Sequence, residues 1–326
     1  MEAISHHKLH LVSGSTNLPL AEAIADCLGV KLGETNMGEF ANGEIHCQFG
    51  ESVRGTDIFI LQSHGAFGCH TINDAVMQQI LMVDAAKRAS AQRITAVCPF
   101  FGYARQDRKA AGREPISAKL MANLFQAAGA DRIISVDLHS GQIQGFFDGP
   151  WDHLTAMPIL CDYFDSLGEE LVVASPDAGR VRVAERYASV SGADLAIVYK
   201  RRSTTTRNSV EAREVVGEVK GRTCVLIDDM IDTGGTLTAA AEQLMERGAA
   251  KVCAAATHGV FSGPATERLS NSVIEEIVVT NTLPIPPEKQ FPKLKVLSVA
   301  PIIADAIDAI FGNTSVSDIF GGQNLT

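Results

Sequence analysis

The sequence predicts an α/β protein of two domains, each a mostly parallel sheet flanked by helices. Three observations carry this. The chain has 326 residues, more than a single core of ordinary size usually holds. Short apolar runs alternate with longer stretches of helical periodicity along nearly its whole length. One junction recurs: SAQRITAV, GADRIISV and GAAKVCAA each pass from a helix end through small residues into a strand.

LHLVSG reads as the first strand and PLAEAIADCLG as a helix stopped by Gly29. DIFILQS is a second strand. INDAVMQQILMVDAAKRAS is a long amphipathic helix leading into the strand RITAVCPFF. ISAKLMANLFQAAG is a helix, followed by the strand RIISVDLHS. The junction GQIQGFFDGPWDHLTAMP lacks periodicity, so the domain boundary is expected near Trp151, giving domains of 1–151 and 152–307. Beyond it come helix CDYFDSLG, strand and loop LVVASPDAG, helix VRVAERYASVSG and strand DLAIVYK. Strand TCVLIDD, helix LTAAAEQLMERG and strand KVCAAATHG follow. EEIVVTNT and KVLSVA are further strands, and PIIADAIDAIFG is the last helix.

Hydrophobic residues make up 46% and charged residues 20%, the composition of a full globular core. The formal charge of -10 argues against nucleic acid as the main ligand, because phosphate backbones need basic surfaces. Cys27, Cys47, Cys69, Cys98, Cys161, Cys224 and Cys253 are scattered and odd in number, with no C-x-x-C. They read as reduced thiols of a cytoplasmic protein. MEAISHHKLH lacks a signal-peptide core, and its histidines read as a polar leader. No apolar run has the length of a membrane span, so no membrane partner is expected.

In parallel sheets ligands bind beyond the carboxyl ends of strands. VLIDDMIDTGGT, Val225 to Thr236, lies at such an end. Thr233, Gly234, Gly235 and Thr236 offer backbone amides, hydroxyls and a helix N-terminus to a phosphate. A tight turn with a capping threonine is the plain alternative. Asp228 and Asp229 shift the balance, because charged residues ending a buried strand seldom serve packing. Carboxylates repel phosphate but accept hydrogen bonds from sugar hydroxyls. A sugar 5-phosphate satisfies both, with its phosphate on the loop and its diol on the acidic pair.

Other strand ends carry polar groups. Arg105, Gln106, Arg108 and Lys109 in PFFGYARQDRK could hold a purine and phosphates, or form a solvated basic loop. Asp137 and His139 in SVDLHS and Asp177 in SPDAG could share a divalent ion, although magnesium prefers oxygen. YKRRSTTTRNS could close cations over a transferred phosphate, or be a solvated basic hairpin. No Walker, dinucleotide or protein-kinase signature is present.

VLIDDMIDTGGT resembles the phosphoribosyl-diphosphate motif of the type I phosphoribosyltransferase fold. With FGYARQDRK, VDLHSGQIQGFF, SPDAG, YKRR, VRGTDIFI, PISAKL, ATHGVFSG and NSVIEE in order, the whole chain resembles the phosphate-regulated ribose-phosphate diphosphokinases. That resemblance implies two phosphoribosyltransferase-like domains, with residues 308–326 packing back on the first. It implies transfer of the diphosphate of ATP to the 1-hydroxyl of ribose 5-phosphate, with Mg²⁺ as cofactor. Arg105 and Gln106 match ATP contacts, as do Asn42, Gly43 and Glu44 from a neighbouring subunit. His139 and Asp177 match the metal positions, Lys200 the catalytic lysine and Arg202 its partner. Arg202, Asp228, Asp229 and the loop Asp232, Thr233, Gly234, Gly235 and Thr236 match the ribose 5-phosphate site.

The resemblance further implies a homohexamer regulated by phosphate and ADP, with Arg54, Ser315 and Ser317 as regulatory contacts. The chain departs from the family where Asn42 replaces an aspartate and where the STTTRNS loop is longer. Two rival readings are a phosphoribosyltransferase that consumes phosphoribosyl diphosphate and a non-catalytic regulatory homologue. The first does not account for FGYARQDRK. The second would be expected to have lost Lys200 or the DTGGT loop.

Overall fold

The computed structural model describes residues 8–168, 170–201 and 212–320. These form two compact units. The first comprises the residues up to Thr155, Thr282–Pro284 and those from Ser298 onward; the second comprises Ala156–Asn281 and Ile285–Leu297.

The first unit begins with β1 (Leu9–Ser13), α1 (Leu18–Leu28), β2 (Thr35–Glu39), β3 (Ile45–Phe49) and β4 (Asp57–Leu61). It continues with α2 (Ile72–Arg88), β5 (Arg93–Cys98), α3 (Ser117–Ala128), β6 (Arg132–Val136) and β7 (Trp151–Leu154). Its main sheet runs β1-β4-β5-β6-β7 and every pairing is parallel. The β4 run DIFIL is buried throughout, as a strand covered on both faces requires. Its even positions, Ile58 and Ile60, join Met82, Val83 and Phe125 of α2 and α3 in one core. Gly29 ends α1 in the left-handed conformation at φ 65°, and its amide donates to Ala25 and Asp26. Trp151 lies inside the last strand of this sheet, because the WDHL segment pairs with β6.

The second unit contains α4 (Met157–Phe164), β8 (Leu171–Ser175), α5 (Val181–Ser191), β9 (Asp194–Arg201), β10 (Ala212–Val216) and β11 (Thr223–Ile231). Then come α6 (Gly235–Glu246), β12 (Lys251–Gly259), α7 (Ala265–Ser270), β13 (Glu276–Thr280) and β14 (Leu294–Leu297). Its sheet runs β10-β9-β8-β11-β12-β13-β14, parallel except for the β9–β10 pair. β11 shows the two-layer logic residue by residue. Val225 and Ile227 pack with Leu160, Phe164 and Tyr187 on one side, while Cys224 and Leu226 pack with Leu237, Ala241 and Leu244 on the other.

The final helix, α8 (Ala300–Phe311), belongs to the first unit, where it packs against α1. The expected second domain ran to residue 307; residues 298–307 instead group with the first unit, carried there by the apolar stripe Ile302, Ile303, Ile307 and Ile310. Among the described residues, no helix is long and apolar enough to cross a membrane.

Candidate functional site

The VLIDDMIDTGGT segment forms most of β11, a short loop and the start of α6. The strand does not stop at Ile227. Its ladder with β8 ends at Leu226–Ala174, but its ladder with β12 continues to Ile231–Gly259. Asp228 and Asp229 therefore lie on a strand held from one side and open on the other. β8 turns away there into the loop Pro176 to Arg180.

That loop returns a cation to the acidic pair. Arg180 Nε lies 2.9 Å from Asp228 Oδ1, and a terminal guanidinium nitrogen lies 2.6 Å from Asp229 Oδ1. The three side chains are 16%, 16% and 7% exposed for Arg180, Asp228 and Asp229. One guanidinium thus bridges both carboxyl groups. Burial, together with hydrogen bonding and repulsion from Asp229, pushes the Asp228 carboxyl up to about 8, against the pull of Arg180. Such a pair is primed to accept hydroxyl donors from a ligand, since each donor stabilises the ionised form.

Asp177 sits in the same loop. Its Oδ1 accepts the Gly179 amide at 2.8 Å, and its carbonyl accepts Ser175 Oγ at 2.6 Å, which fixes the turn. Asp177 is half-buried.

After β11, Gly234 caps α6 in the left-handed conformation at φ 72°. A Cβ there would be strained by this backbone and would crowd the buried Leu269 at 3.1 Å. Gly235, Thr236 and Leu237 form the first turn of α6, where the amides of a helix N-terminus point out of the helix. Three successive carbonyls before them are held from behind. Ile231 accepts the Val260 and Phe261 amides, each at 3.0 Å, Asp232 accepts the Ser262 amide at 3.0 Å, and Thr233 accepts Arg268 Nη1.

Lys200 closes β9 one residue before its end, and its backbone pairs with Arg213 of β10. Arg202 lies outside the described residues, with the segment 202–211 that joins the two strands.

In the first unit, Asn42, Gly43 and Glu44 form the exposed tip of the β2–β3 hairpin. The Asn42 side chain accepts the Glu44 amide at 3.2 Å, and Gly43 takes φ 86°. Arg105 and Gln106 lie on the tight turn after β5. Gln106 is anchored by its amide to Tyr103 at 2.9 Å and by its side-chain oxygen to Ser117 Oγ at 2.7 Å, which leaves Arg105 exposed.

This turn is supported from within by His64. The ring accepts the Gly102 amide at Nδ1 (3.0 Å), so the proton is on Nε2, which donates to Gln79 Oε1 at 2.6 Å. Gln79 donates onward to the Ile60 and Val97 carbonyls. Burial lowers the His64 pKa to about 4, which keeps the ring neutral at ordinary pH. His139 follows β6 in a half-buried turn, after Asp137 at φ 38°. His153 Nε2 accepts the Leu138 amide of that turn at 2.8 Å.

Among the described residues, no group of three or more His, Cys, Asp or Glu side chains converges as a metal cage. Arg180, Arg268 and His64 did not emerge from the sequence reading. Each acts on a segment distant in the chain, and no spacing rule signals such a contact.

A family model described as the N-terminal domain of ribose phosphate pyrophosphokinase matches residues 9–129, and one described as a phosphoribosyl synthetase-associated domain matches residues 184–321. A ribose-phosphate pyrophosphokinase of Streptomyces avermitilis is 54% identical over 97% of this chain and 97% of that protein. One from Bifidobacterium longum is 52% identical over 98% of this chain and 94% of its own length. The crystal structure of phosphoribosylpyrophosphate synthetase from Mycobacterium smegmatis superposes with a TM-score of 0.87 at 52% identity, covering 94% of this chain and 99% of that one. The chain belongs to the ribose-phosphate pyrophosphokinase family.

Proposed function

We propose that this enzyme transfers the β,γ-diphosphate of ATP to the 1-hydroxyl of ribose 5-phosphate, releasing AMP and 5-phosphoribosyl 1-diphosphate. One observation supports the sugar-phosphate part above others. The acidic pair on the open edge of β11 leads directly into the Gly234-capped N-terminus of α6. Carboxylates and anion-binding amides side by side suit a ligand with hydroxyls at one end and phosphate at the other. In this reading Asp228 and Asp229 accept ribose hydroxyls, and Asp232 to Thr236 takes the 5-phosphate. Arg105 and Gln106 contact ATP, with Asn42, Gly43 and Glu44 reaching a neighbouring subunit from their exposed hairpin tip.

The 1-hydroxyl attacks the β-phosphorus in line. A new O–P bond forms at the sugar, the bond from the β-phosphorus to the AMP oxygen breaks, and the hydroxyl proton passes to solvent. The chain's part is to align the reactants and offset charge, with Lys200 and Arg202 over the transferred group. His139 and Asp177 would hold Mg²⁺, which when bound neutralises phosphate charge. Phosphate and ADP act as regulators through Arg54, Ser315 and Ser317, and the working assembly is a homohexamer in the cytoplasm.

Incubation with ATP, Mg²⁺ and ribose 5-phosphate, followed by ³¹P NMR and chromatography, tests the reaction. AMP and phosphoribosyl diphosphate in equal amounts are expected. ADP as product, or no turnover at any phosphate concentration, contradicts the reading.

A further inference from the structure

We infer that Arg268 is a positioning residue of the ribose 5-phosphate site, fixing the phosphate loop from behind and adding positive potential to it. The inference rests on the reading of Asp232 to Thr236 as the 5-phosphate loop.

The geometry comes from three consecutive carbonyls. A loop that binds an anion through amides must turn its carbonyls, which carry negative partial charge, away from the ligand. Here the Ile231 and Asp232 carbonyls are taken by backbone amides of the 260–262 segment. The Thr233 carbonyl is the next in line and the last before the Gly234 cap. It is held by a side chain, the guanidinium of Arg268 on α7. Arg268 therefore restrains the orientation of the peptide between Thr233 and Gly234. Gly234 in the left-handed region has no Cβ to restrict that peptide, so the restraint must come from a neighbour.

Charge adds to orientation. The guanidinium Nη1 lies 3.5 Å from where a Cβ on Gly235 would stand, so a full positive charge sits against the first residue of α6. It adds to the partial charge of the helix N-terminus, where an anion is favoured. Arg268 is exposed, and the packing of α7 is carried by its neighbours Ala265 and Leu269, both fully buried. The arginine is thus not needed for the core. It touches the carbonyl side of the loop, so it acts on the 5-phosphate through the loop.

The test is steady-state kinetics and ribose 5-phosphate titration calorimetry on Arg268→Ala and Arg268→Lys, with Gly234→Ala as a control for the loop. Loss of one charge-assisted hydrogen bond predicts a rise of about tenfold in KM and Kd for ribose 5-phosphate in Arg268→Ala. KM for ATP and the melting temperature should stay near wild type, and Arg268→Lys, which keeps a charged donor, should recover most of the affinity. Ribose 5-phosphate affinity unchanged in Arg268→Ala but weakened in Gly234→Ala overturns the inference and leaves the loop reading standing. An equal rise in both KM values with a lowered melting temperature also overturns it, because that marks a general structural role. If neither variant weakens ribose 5-phosphate, the loop reading itself falls.

Discussion

Replacing Lys200 by Ala is expected to lower kcat by about a thousandfold, the scale seen when a charge-stabilising group of a phosphoryl-transfer site is removed. The dissociation constant of ribose 5-phosphate should change little, within about threefold, because a group that acts on charge developing in the transition state contributes little to the ground-state complex. Lys200 stands near the end of β9, where the backbone is still registered against β10. Binding calorimetry with single-turnover kinetics separates the two effects. A loss of ribose 5-phosphate affinity as large as the loss of rate would contradict the assignment.

Arg180→Ala should produce the largest change in stability. Removing the guanidinium that Asp228 and Asp229 share leaves two largely buried carboxyl groups facing each other. Breaking a buried pair in this way costs about 3 kcal/mol, equivalent to a fall of roughly 5–10 °C in melting temperature. The pH dependence follows from the raised pKa of Asp228. Its folded-state value, about 8, lies above that of an unfolded carboxylate, so the folded state holds the proton more tightly. The associated stability is fully present below about pH 4 and is lost as pH rises through about 8. Without Arg180, whose charge lowers it, the Asp228 carboxyl holds its proton still more tightly. The deficit of the variant relative to wild type should therefore be largest near pH 8 and shrink towards pH 5. Thermal melts across that range measure it. A deficit that stays constant with pH would show that Arg180 acts through packing alone.

The fold was legible where burial acts on both faces of a strand. The runs DIFIL and TCVLI read as strands between helices, because short, β-branched apolar runs suit a strand covered on both faces. Four strands that exist only through a neighbour were not legible. TNMGE and IHCQF have no fully buried residue, and they are strands because they pair with each other. AREVV becomes β10 only because β9 lies beside it, and WDHL is a strand only through β6.

The site shows the same division. The acidic pair and the Thr-Gly-Gly-Thr loop are contiguous in the chain, so their joint chemistry can be read from the letters. The continuation of β11 past the acids cannot, because it depends on β12 holding one edge while β8 leaves the other. The supporting cations, Arg180 and Arg268, are about fifty and thirty-five residues from what they hold, distances over which only the folded backbone brings side chains together.

The central claim is that β11 and the start of α6 divide the ligand between them, hydroxyls on Asp228 and Asp229, phosphate on the loop. Titration calorimetry of ribose 5-phosphate, 2-deoxyribose 5-phosphate and ribose against wild type, Asp228→Asn and Gly234→Ala tests it directly. The account predicts that Asp228→Asn narrows the gap between the first two ligands and leaves the contribution of the phosphate intact. Gly234→Ala should narrow the gap between ribose 5-phosphate and ribose and leave the contribution of the 2-hydroxyl intact. Both variants weakening all three ligands by the same factor would contradict it.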